Sequence, residues 1–89
     1  MLRKIVNKHK KNGRVLVVTS KRINGCYFIN KNKDYHSLLD ELQVRLIALD
    51  VLENEEQDLT VILDTEYADK IIEHNKHLIK VMRCKMIKV

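Results

Sequence analysis

The spacing of apolar residues changes character along this chain. In the first third, apolar residues fall in short clusters: Leu2, Ile5 and Val6, then the run Val15-Leu16-Val17-Val18, then Tyr27-Phe28-Ile29. The two boundaries between these clusters are Asn12-Gly13 and Asn24-Gly25, which hold the only two glycines of the chain. Asn-Gly is the strongest two-residue hairpin signal, because a type I′ turn needs positive φ at both central positions. The pattern therefore predicts strands at Leu2–His9, Arg14–Lys21 and Cys26–Asn32, joined as a three-stranded antiparallel meander. In-out alternation within these segments is too poor to assign a register.

From Ser37 onward the period becomes helical. Leu38, Leu42, Leu46, Leu49 and Leu52 repeat at helical spacing, with Leu39, Val44, Ile47, Ala48 and Val51 widening the stripe. This predicts a helix over Ser37–Asn54 with more than one apolar face. Ser37 reads as its N-cap, with Asp40 completing a capping-box-like pair. Leu59-Thr60-Val61-Ile62-Leu63 is nearly continuous in apolar residues, which suits a strand covered on both faces beside parallel neighbours. Helical spacing returns from Glu66 to about Lys80. The segment Met82–Val89 alternates as a last strand with lysines guarding an edge, and continuation of the helix through Met82 and Met86 is the rival. The expected architecture is one α/β domain spanning residues 1–89, a mixed sheet in the order β-β-β-α-β-α-β.

Composition adds constraints. Hydrophobic residues are 45% and charged residues 33% of 89 positions, the balance of a folded chain rather than a disordered one. Aromatic residues are few, so the core falls to Leu, Ile and Val. No apolar run reaches the length of a membrane span, and the basic start MLRKIVNKHKK lacks the apolar segment of a secretory leader. A cytoplasmic protein without a membrane partner is expected. Cys26 and Cys84 match no metal or redox spacing, so they read as buried free thiols, with a single disulfide left open.

Charge is strongly segregated. Residues 1–33 contain ten Lys or Arg and no acid; residues 34–73 hold all twelve acids against Arg45 and Lys70; residues 74–89 add five bases. A basic block of this kind points to a polyanion, and equally to a solvated lysine-rich sheet face. On a meander, Lys8, Lys10, Lys11, Arg14, Lys21, Arg22, Lys31 and Lys33, with Arg3 and Lys4, would gather on one structural unit. Phosphate contacts through them would be independent of base sequence and sensitive to salt. Tyr27 or Phe28 could stack a base if exposed. His74 and His77 with Glu73 lack further ligands, which leaves them as solvated helix residues. His9 and His36 are isolated. With both glycines spent in turns, no glycine-rich phosphate loop exists.

The element order, and two local motifs, resemble the ribonuclease H fold. Glu41-Leu42-Gln43-Val44-Arg45-Leu46-Ile47-Ala48-Leu49 resembles the first helix of that family. Val61-Ile62-Leu63-Asp64-Thr65-Glu66-Tyr67 looks like its fourth strand, which ends in Asp-Ser-x-Tyr and feeds a helix. The likeness covers residues 38–72. It implies that Glu41 and Asp64 match two carboxylates that hold Mg²⁺ for phosphodiester hydrolysis, a chemistry that needs clustered carboxylates around two ions. The chain departs from the family at the decisive points. No acid precedes Asp34, so the central aspartate position falls near Thr19 or Ser20, and no acid follows Glu73. Glu41 and Asp64 are then vestigial, Asp64 serving equally as a helix N-cap and Glu41 as a first-turn acid. The resemblance implies a minimal member that is not an enzyme and holds no metal or cofactor, and the basic meander makes nucleic-acid binding its expected function. The alternative is a protein-interaction module, such as a viral or phage-encoded factor acting on a host protein through a sheet edge or the acidic loop Glu53–Asp58. A third is a metal-dependent nuclease whose site assembles in a dimer; the oligomeric state itself is open.

Overall fold

The computed structural model describes residues 1–52 and 58–89. Its elements are α1 (Leu2–Lys10), β1 (Gly13–Thr19), β2 (Tyr27–Asn30), α2 (Tyr35–Leu52), β3 (Asp58–Leu63), α3 (Ala68–His74), α4 (Lys76–Met82) and β4 (Lys85–Lys88). The four strands form one sheet in the order β2-β1-β3-β4, and every neighbouring pair is parallel. This overturns the expected antiparallel meander, and with it the ribonuclease H-like topology of a mixed sheet.

Three local causes account for the correction. The first segment is a helix because Leu2, Ile5 and Val6 recur at three- and four-residue spacing and make one stripe. Val6 is fully buried against Val15, Val17 and Ile62, with Leu2 and Ile5 beside it. Second, Val15, Leu16, Val17 and Val18 are all buried, odd residues under α1 and even residues under the helices of the other face. That is the continuous apolar run of a central parallel strand. Third, the Asn-Gly pairs close no hairpin. Gly13 has no positive φ; a Cβ there would run into the Asp58 carbonyl where β3 begins beside it. Gly25 does take the left-handed region, with φ 81°. It bends a helix-free crossover, residues 20–26, that returns the chain from β1 to β2. So short a link suffices because β2 starts level with Leu16, only about 10 Å back from Thr19 at strand rise. Ile23 and Cys26 pack this link onto the α1 face of the sheet.

The later elements follow the sequence more closely. Helix α2 begins two residues earlier than expected, because Asp34 rather than Ser37 caps it: Asp34 Oδ1 accepts from the Ser37 backbone N–H at 2.8 Å and Oδ2 from the Ser37 hydroxyl at 3.1 Å. Leu38, Leu39, Leu42, Leu46 and Leu49 bury its inner face over β1, β2 and β3. The expected second helix is two helices. Asn75, buried at the join, donates from Nδ2 to the Ile71 carbonyl at 3.0 Å and separates α3 from α4. Met82 ends α4, Arg83 closes it in the left-handed conformation (φ 59°, ψ 31°), and β4 follows. The link from β1 to β2 crosses one face, and those through α2 and through α3–α4 cross the other while moving the opposite way along the sheet. All three crossovers therefore share one hand, as parallel connections do. Among the described residues no helix is long and apolar enough to cross a membrane.

Candidate anion-binding edge of the sheet

Parallel strands bring every strand end to one edge, and the helices that follow β2 and β3 start there. In this chain α1 also starts there, because it runs back against β1. The carboxyl edge thus collects the amino ends of α1, α2 and α3; those of α1 and α3 have no side-chain cap and carry partial positive charge from unsatisfied N–H groups, whereas Asp34 caps α2. Sheet order reverses direction at β1, whose neighbours β2 and β3 leave on opposite sides. A crevice outside the strand ends at such a reversal is the usual ligand site of open α/β sheets.

Two crevices lie at this edge. One, about 370 Å³, is bounded by Arg3, Thr19, Ser20, Lys21, Arg22 and Asp64. The other, about 530 Å³, is bounded by Lys31, Lys33, Asp34, Thr65, Glu66 and Tyr67. Their shared wall is hydrogen-bonded: the buried Thr19 hydroxyl donates to Asp64 Oδ2 at 2.7 Å, the Asp64 N–H to the Val18 carbonyl at 2.8 Å, and the Lys31 N–H to the Thr19 carbonyl at 2.9 Å. The Arg22 guanidinium lies over the Phe28 ring, 5.3 Å from its centroid, while Tyr27 joins the core on the opposite face. In the second crevice the Tyr67 ring leans on Tyr35 at 5.1 Å. Hydrogen bonds from the Ser37 N–H first, and then from its hydroxyl, hold the Asp34 carboxyl below the usual aspartate range.

The eight cations expected to bind nucleic acid do not converge. Lys21, Arg22, Lys31 and Lys33 stand at the carboxyl edge. Lys8, Lys10, Lys11 and Arg14 stand at the opposite one, at the end of α1 and the start of β1. There they have structural partners: Lys10 Nζ donates to the Asn24 carbonyl at 3.1 Å, and Arg14 Nη1 to the Leu49 carbonyl near the end of α2 at 3.2 Å. Cations at helix carboxyl ends are favoured by the helix dipole whatever the protein does.

The vestigial pair is also divided. Asp64 faces Thr19, whereas Glu41 is ion-paired with Lys33. No group of three His, Cys, Asp or Glu side chains suited to a metal occurs among the described residues. His74 ends α3 and His77 belongs to α4. Cys26 and Cys84 are unpaired, and burial pushes both thiols up. The acidic loop offered as a protein contact lies outside the described residues except for Asp58. Arg3, expected among the basic residues of a meander, joins the carboxyl edge through α1 instead; the residues missed as part of a site are Thr19 and Ser20, noted only as positions lacking an aspartate. A doubly buried run ending in Thr-Ser-Lys-Arg, taken as a parallel strand, would have pointed to them.

No protein-family model, curated protein or solved structure matches this chain.

Proposed function

We propose that the chain binds nucleic acid through the carboxyl edge of its sheet, by phosphate charge rather than base identity, and without catalysis, in the cytoplasm. One observation carries this. Arg3, Lys21, Arg22 and Lys31 line crevices at the edge where α1, α2 and α3 begin, and α1 and α3 begin there without a side-chain cap. Arg3, in the first turn of α1, opposes that helix's dipole by about 0.3–1 kcal/mol at an exposed position, so stability does not account for it, and a phosphate ligand does. The two carboxylates that a metal would need stand apart, Glu41 paired with Lys33 and Asp64 facing Thr19. Fluorescence anisotropy with a labelled oligonucleotide at low ionic strength tests the reading. With about three phosphate contacts, affinity should fall on the order of 20-fold for a single strand, and about 40-fold for a duplex, between roughly 50 and 200 mM salt. Absence of binding at low salt refutes it.

A second reading, a protein-interaction module, has its own support. Val44, Ile47 and Val51 repeat at three and four residues on the outer side of α2 and are 68%, 46% and 72% exposed. Asp40, Glu41 and Asp50 border this stripe, which fits a partner helix with an apolar stripe flanked by Lys or Arg. A synthetic peptide of that pattern should bind, and Val44→Glu should abolish the binding; a peptide that Val44→Glu does not affect counts against it.

A further inference from the structure

Asp64 stands among the cations of the smaller crevice, and its ordinary roles are filled or absent. It is no salt-bridge partner: the ion pairs among the described residues are Lys33–Glu41 and Lys88–Asp69. Nor does it cap α3, which starts at Ala68 after Tyr67 with no side-chain cap; the Tyr67 N–H is taken by the Thr65 hydroxyl oxygen at 3.3 Å. It does hold Thr19, but through Oδ2 alone, a task a neutral amide oxygen performs as well. What remains unexplained is the charge and the second oxygen, Oδ1. A bare carboxylate beside Arg3, Lys21 and Arg22 repels phosphate, and so weakens a phosphate site unless the ligand brings a donor to it.

Resting on the nucleic-acid reading above, we propose that Asp64 reads the sugar. Phosphate oxygens lie against Arg3, Lys21 and Arg22, and the adjoining ribose donates its 2′-hydroxyl to Asp64 Oδ1, so the crevice favours RNA over DNA. The 2′-hydroxyl is the donor that distinguishes the two polymers at any site, and in nucleotide-binding α/β sheets an acidic residue near a strand end takes this role toward ribose. The crevice, about 370 Å³, is within the range that holds a small ligand. Thr19 orients the carboxylate from one side, leaving the other oxygen for the ligand.

The test compares oligo(U) of about ten nucleotides in ribo, deoxyribo and 2′-O-methyl forms, at one low salt concentration. Uracil carries no exocyclic amino group, so a gain on ribose belongs to the hydroxyl. The wild-type chain should bind the ribo form roughly ten-fold more tightly than either other form, the size of one hydrogen bond to a charged acceptor. Asp64→Asn, which can still accept from Thr19, should bring the three affinities within about two-fold of one another by losing that charge-assisted bond. A purely structural Asp64 would lower all three together and leave their ratio unchanged. Equal wild-type affinity for the three forms overturns this inference and leaves the nucleic-acid reading standing. Failure of all three to bind overturns both. The wild-type comparison needs no variant to fold.

Discussion

At the amino edge of the sheet, Lys10 and Arg14 donate to main-chain carbonyls, and Lys8 and Lys11 close the last turn of α1. At the carboxyl edge, no hydrogen bond or ion pair among the described residues engages the side chains of Arg3, Lys21 or Lys31. The two groups come from one acid-free third of the chain and are alike in composition. What separates them is the direction of the helices beside them. Positive charge at the amino edge satisfies carbonyls; at the carboxyl edge it adds to what the helices already supply. A basic block is therefore two populations, and only strand direction tells them apart.

Charge reversal should split the two edges most widely. Changing Lys21, Arg22 and Lys31 to Glu should lower oligonucleotide affinity on the order of 100-fold at low salt while holding or raising the melting temperature. Changing Lys8, Lys10 and Arg14 to Glu should do the opposite, costing about 1–2 kcal/mol of stability through lost carbonyl bonds and an inverted dipole interaction, with affinity within about three-fold. Parallel binding isotherms and urea melts decide it, and equal binding losses would erase the distinction. Next come the glycines. Gly13→Ala should cost about 2 kcal/mol, because backbone of two adjacent strands must separate. Gly25→Ala should cost about 1 kcal/mol for its left-handed φ alone, its Cβ meeting only the movable end of Lys10. Urea denaturation of both variants measures the gap. The smallest effect is at Asp34. Its carboxyl is held low in the fold, so its capping contribution is present at neutral pH and is lost as pH falls through that lowered value. Asp34→Ala should melt below wild type at neutral pH and coincide with it in acid; a constant difference across pH would contradict the cap.

The second half of the fold was legible because its patterns are long. The leucine spacing of α2 and the run 59–63 each admit one interpretation, and both elements occur within a few residues of the expected limits. The first third was not, because local turn chemistry outweighed two other signals. Leu2, Ile5 and Val6 share a helical face, yet Asn12-Gly13 after them reads as a hairpin turn and makes the segment a strand. Residues 15–18 have the same doubly apolar character that marked 59–63 as a parallel strand, yet Asn12-Gly13 and Asn24-Gly25 argued for hairpins. The glycines answer instead to a close approach and to a bend. The likeness of Val61–Tyr67 to a family motif singles out Asp64, but its partner Thr19 lies 45 residues away in the chain. Without the strand order, nothing local joins them.

That separation bears on how the chain reaches its structure. No two strands of this sheet can pair through a tight turn, so no hairpin is available to start it. The central pairing, Gly13 beside Asp58 through Val18 beside Leu63, must wait for a long loop to close, which places the chain among the slower small folders for its length. With no proline in the sequence, no prolyl isomerisation adds a second slow phase. Refolding kinetics of this chain should therefore report the cost of closing a parallel sheet, undisguised by any other slow event.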